Sequence, residues 1–158
     1  MKHKLFFILF ISLLLSCKFC AADFKILVNF TEGEHSKDSW TKTTLITIDD
    51  NAYFYSISGS GHSNLKSDNK NGAFTDEQRD KIKTFVLDHN LNVNDSLFEE
   101  ESKYKSYERF TNIAIDIWIN NVSYRIRING DITEFNDKPL YKNSMDLISL
   151  ITDYIKPG

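Results

Sequence analysis

Cysteine is nearly missing from this chain of 158 residues: Cys17 and Cys20 are the only two, and both lie within the first 22 residues. The stretch from Asp23 onward cannot form an internal disulfide, so packing has to stabilise it. With two Pro and six Gly, collagen-like and proline-rich low-complexity architectures are excluded. No run of Lys and Arg is present, and 19 basic against 22 acidic residues give a net charge of −3. A phosphate backbone has nothing to track along such a surface, which argues against nucleic acid as a partner. His-Glu-x-x-His and Gly-x-Ser-x-Gly are absent, as is any glycine pattern that cradles phosphate, so no motif names a reaction or a cofactor. What is present, 41% hydrophobic and 26% charged residues in one chain of this length, describes a single packed domain.

Residues 1–22 differ from the rest. Lys2, His3 and Lys4 precede an apolar run from Leu5 to Ile11 that resumes at Leu13 and ends at Leu15. The run is too short for the about 20 residues of a membrane-spanning helix and has the layout of a secretory signal. Its end, Leu14-Leu15-Ser16-Cys17, resembles the lipobox of bacterial lipoproteins. That resemblance implies removal of residues 1–16, lipidation of Cys17 and a membrane tether in the cell envelope. A rival cut follows Ala22, where Cys20 and Ala22 supply the small residues that an ordinary signal peptidase accepts; the product would be soluble and secreted. The lipobox is favoured because Cys17 closes the apolar run directly. The domain that remains, 23–158, carries 16 basic and 22 acidic side chains, a net charge of −6. Sequons at Asn29, Asn94 and Asn121 matter only in a glycosylating host.

Along the domain, turn signals separate about five strands and two helices. Phe24 to Phe30 reads as a strand, Thr31 to Ser39 as a polar loop, and Thr41 to Ile48 with Ala52 to Ser58 as a hairpin around Asp49-Asp50-Asn51. Gly59 to Gly72 is polar and reads as a connection. Thr75 with Gln78 forms a capping-box pattern that opens a helix, and Asn90 stops it. Asn92 to Glu108 reads as an acidic loop. Phe110 to Asn129 alternates strictly, and a turn at Asn120-Asn121 pairs Ile117 with Tyr124, Ile115 with Ile126 and Ile113 with Ile128. One face is then apolar, and Asp116 stands opposite Arg125 on the other. Ile132 to Phe135 reads as a short extension, and Pro139 starts a last amphipathic helix. The expected fold is α+β: an antiparallel sheet in the order βββαββα with both helices on one face.

Each chemical constellation has a plainer reading beside it. His35 near Glu32, Glu34 and Asp38 has metal-ligand chemistry but the composition of an ordinary polar loop, so no metal is assigned. Ser58 to Ser63 joins hydroxyls to His62 yet reads as a flexible loop. His89 falls on the apolar stripe of its helix as a partly buried structural residue. The sheet face away from the helices carries Leu45, Phe54 and Trp118 beside Asp116 and Arg125; with Trp40 these form a candidate binding surface. The competing reading folds Asn92 to Glu108 over that face as a second layer.

The βββαββα layout of Phe24 to Ile155 resembles emfourin-type small bacterial proteins, some of which inhibit thermolysin-like metallopeptidases. The resemblance is one of layout, and the polar Thr31-Glu32-Gly33-Glu34-His35 replaces that family's Gly-rich segment, so no inhibitory residue carries over. The expected function is a non-catalytic envelope lipoprotein that binds a protein or another envelope component without a cofactor. The alternatives are a secreted peptidase inhibitor working through Thr31 to Trp40, and a small hydrolase using His35 or His62.

Overall fold

Alternating β-branched and aromatic residues set most of the sheet. The computed structural model describes residues 23–35, 39–61, 67–98 and 109–156. Residues 1–22 with Cys17, and also Asp38 and His62, lie outside the described residues. The elements are β1 (Phe24–Glu34), β2 (Trp40–Asp49), β3 (Ala52–Gly61), β4 (Asp68–Ala73), α1 (Asp76–Asp88), β5 (Asp95–Phe98), β6 (Arg109–Ile119), β7 (Val122–Asp131), α2 (Ile132–Phe135) and α3 (Pro139–Ile155).

The strands form one seven-stranded sheet in the order β4-β3-β2-β1-β6-β7-β5. Neighbours are antiparallel except β5, which runs parallel to β7. On the inner face Phe24, Ile26, Val28 and Phe30 of β1 meet Ile46 and Ile48 of β2, and the four alternate isoleucines of β6 meet Ile126 and Ile128 of β7. Helices α1 and α3 cover this face with Ile82 and Val86 and with Leu147, Ile148, Ile151 and Ile155. Both helices thus lie on one side, and the α+β class holds.

Local signals explain the element ends. The Thr75 hydroxyl accepts from the Gln78 N–H at 3.2 Å while the Thr75 N–H donates to Gln78 Oε1 at 2.9 Å, completing the capping box. Asn90 ends α1 at φ 54°, and Asn120 and Asn121 turn the β6–β7 hairpin at φ 51° and 65°. Asparagine tolerates this left-handed region better than most residues, and two such residues in succession match the twist of a tight hairpin. The β6–β7 register is the expected one: Ile117 faces Tyr124, Ile115 faces Ile126 and Ile113 faces Ile128.

The strand count and the order βββαββα require correction, because the chain runs ββββαβββαα. Thr31–Glu34 continues β1, with a ladder to β2 that closes at Glu34 and Trp40, so the first four residues of the expected polar loop belong to a strand. The segment expected as a connection after β3 contains β4, whose sequence Asp-Asn-Lys-Asn-Gly-Ala has no apolar pattern and is held by backbone pairing to β3. Gly72 admits the Tyr53 ring there, since a Cβ on it would sit 2.7 Å from the Tyr53 hydroxyl oxygen. Within the expected acidic loop, Asp95–Phe98 forms β5, a strand too short to show a period. Ile132–Phe135 is a helical turn capped by the Asp131 side chain, which accepts from the Thr133 N–H at 2.8 Å.

Candidate functional site

Strict alternation that buries one set of side chains presents the other set together. The register aligns the outer-face residues in rows across the strands. One row runs Phe54, Thr47, Leu27, Asp116, Arg125; the next runs Ser56, Leu45, Asn29, Ala114, Arg127. A third places Lys25 beside Trp118, with the Lys25 Nζ 5.6 Å from the ring centroid, a cation–π contact. At the edge, Leu97 of β5 turns into the core and Phe98 turns outward.

Three large apolar side chains of this face are exposed: Leu45 at 41%, Phe54 at 45% and Phe98 at 62%. The polar centre of the face is Asp116. Arg127 Nη2 donates to its carboxylate at 2.7 Å, and Arg127 Nη1 donates to the carbonyls of Ile126 at 2.8 Å and Ile115 at 3.2 Å. Arg125, directly opposite, holds the carboxylate only at 3.7 Å through Nε. The expected Asp116–Arg125 pair is therefore present, and a shorter diagonal one to Arg127 joins it. Ala114, the residue opposite Arg127, is small, and the long guanidinium stem reaches past it to both the carboxylate and the strand carbonyls.

Leu45, Phe54, Asp116, Trp118 and Arg125 thus share one face as the alternation implies, whereas Trp40 does not join them. Trp40 lies opposite Glu34 on the other parity of β2, at the far end of the sheet, and its indole N–H donates to Glu34 Oε2 at 3.4 Å. Leu27, Arg127 and Phe98 belong to the surface although composition had not singled them out. The β1 and β7 alternation contains Leu27 and Arg127, while Phe98 needs the β5 pairing. The second layer expected from Asn92 to Glu108 is not formed by its described part, which extends the sheet sideways; 99–108 lies outside the described residues.

The other candidates have structural surroundings. His35 stacks on Phe110 with centroids 4.8 Å apart, and the Phe110 ring in turn crosses Gly33, where a Cβ would meet it at 2.5 Å. His89 is exposed rather than partly buried: it caps α1, stacks on Phe85 at 3.9 Å and places Nδ1 3.0 Å from the Phe85 carbonyl oxygen. Among the described residues no three His, Cys, Asp or Glu side chains come together as a metal site, and no helix is long and apolar enough to cross a membrane.

A cleft of about 370 Å³ at one end of the sheet is lined by Asp23, Asp50, Asn51, Arg79, Asp80 and Lys83 among others. Arg79 braces it, donating to Asn51 Oδ1 at 3.0 Å and to Asp80 Oδ1 at 2.9 and 3.1 Å. Its hydrogen bonds to Asp80 push the guanidinium pKa still higher, so Arg79 stays charged and committed to its own neighbours. The chain matches no protein-family model and no curated protein.

Proposed function

We propose that this chain is a non-catalytic lipoprotein of the cell envelope whose outer sheet face docks a protein partner. The observation that carries the reading is that exposed Leu45 and Phe54 share with Trp118 and Arg125, and with Phe98 at the far edge, one face that the helices leave uncovered. Aromatic and apolar side chains together with Arg make up the composition enriched in protein interfaces. The lipobox-like Leu14-Leu15-Ser16-Cys17 supports the address. Asp23 is fastened to the sheet through its carbonyl, which accepts from the Asn120 N–H at 3.1 Å. Processing at Cys17 leaves residues 18–22 as the tether, a reach of roughly 17 Å when extended. The domain would work close to the membrane surface.

Two measurements test this reading. Mass spectrometry of the mature protein should find a diacylglyceryl-modified N-terminal Cys17; an unmodified Asp23 or a retained Met1 overturns the anchor. A photo-crosslinking amino acid at position 54 or 45, introduced in the producing organism, should trap a protein adduct that the same probe at exposed Leu87 of α1 does not. Equal or absent adducts at all three positions overturn the docking face.

A further inference from the structure

The docking face differs in charge from the domain that carries it. The domain 23–158 has a net charge of −6, so its surface at large repels acidic partners. Around Asp116, however, two guanidiniums share one carboxylate. Arg127 takes that carboxylate at 2.7 Å and directs Nη1 at two backbone carbonyls, leaving Arg125 at 3.7 Å with a side chain 73% exposed. Lys25 adds a further cation over Trp118, and its nearest carboxylate oxygen, on Asp49, is 3.9 Å away. The guanidinium of Arg125 is thus an exposed cation on this face, at its β7 side, whose one carboxylate is shared with a closer guanidinium.

From this we infer that the partner presents a carboxylate-bearing apolar segment, with an Asp or Glu side chain pairing with Arg125 while apolar side chains cover Leu27, Leu45 and Phe54. The register sets the spacing. Leu27 lies two strands from Arg125 in the same row and Phe54 lies four, or about 10 and 19 Å at the usual inter-strand separation. An acidic group and an apolar group about two helical turns apart on one face of a helix meet the first of these distances. Asp116 and Arg127 act as positioning residues: their 2.7 Å bond takes Oδ1 of the carboxylate, the oxygen from which Arg125 stands at 3.7 Å.

This inference rests on the docking reading above, and the experiment separates the two. The crosslinker at position 54 is placed in the full chain in the producing organism, with Arg125 intact, as Arg125→Glu or as Arg125→Lys. Circular dichroism and thermal melting verify that each variant folds. The adduct should fall at least about tenfold with Arg125→Glu, the scale of a lost charge-assisted contact, and should largely survive Arg125→Lys. Sequencing of the trapped segment should place an Asp or Glu among apolar residues. An adduct retained at full yield in Arg125→Glu overturns the acidic partner while leaving the docking face standing. Trapping of lipid, glycan, a second copy of this chain or its own residues 99–108 overturns the inference too. No adduct from either position 54 or 45 with Arg125 intact removes both.

Discussion

Tyr141 shows how one side chain can register the packing around it. It is partly buried on α3, and its hydroxyl pKa is raised above the ordinary tyrosine value, first by burial and then by the negative charge of Glu32. A group whose pKa is higher folded than unfolded contributes stability that is complete below the unfolded value and is lost as pH rises through the folded one. Stability should therefore fall as pH climbs past about 10, the unfolded tyrosine value. Tyr141→Phe keeps the ring and removes the proton, so its melting temperature should decline less over that alkaline range; thermal melts of both proteins across a pH series check this. Asp116 makes a related point. Its opposite neighbour Arg125 could be read from hairpin register and does pair with it, yet its closer partner is Arg127, because reach past a small Ala114 brings that guanidinium in and no residue pattern encodes reach.

At the scale of elements, the best-read segments carry their own boundary chemistry. The capping box of α1 satisfies backbone N–H groups that no helical carbonyl can reach, and it does so with residues three positions apart. Thr75→Ala should cost about 1 kcal/mol in unfolding free energy, measured by urea denaturation, with Thr75→Ser close to the original. The β6–β7 hairpin was readable for a similar reason: alternation and a two-Asn turn permit one register that buries every isoleucine. Elements without such chemistry were not readable. Strand β4 has no apolar alternation and pairs through its backbone with β3, while β5 has four residues and borrows its place from β7. Trp40 illustrates the cost of a misplaced boundary: when β1 and β2 are extended to Glu34 and Trp40, its indole leaves the outer surface.

For the whole molecule, the sheet divides the residues into a buried set and a presented set, and mutations should respect that division. Ile115 is fully buried in the central part of the sheet, and Ile115→Ala should lower stability by about 2–5 kcal/mol through lost burial and a residual cavity. Phe54→Ser on the opposite face should change it by only about 0.5 kcal/mol or less while abolishing the position-45 crosslink. Denaturant melts with the crosslinking assay measure both. A Phe54→Ser variant destabilised as much as Ile115→Ala would mean that the outer face is packed and not presented.

Periodicity, caps and turn residues act over a few neighbouring positions, so the linear order of amino acids was enough to specify the α+β class, the central hairpin, the apolar face and most of the candidate surface. The two edge strands, the place of Trp40 and the second, closer guanidinium of Arg127 on Asp116 depend on contacts between residues far apart in the chain. Backbone pairing and side-chain reach across strands have no local signature, and for that reason they emerged only once the sheet was assembled.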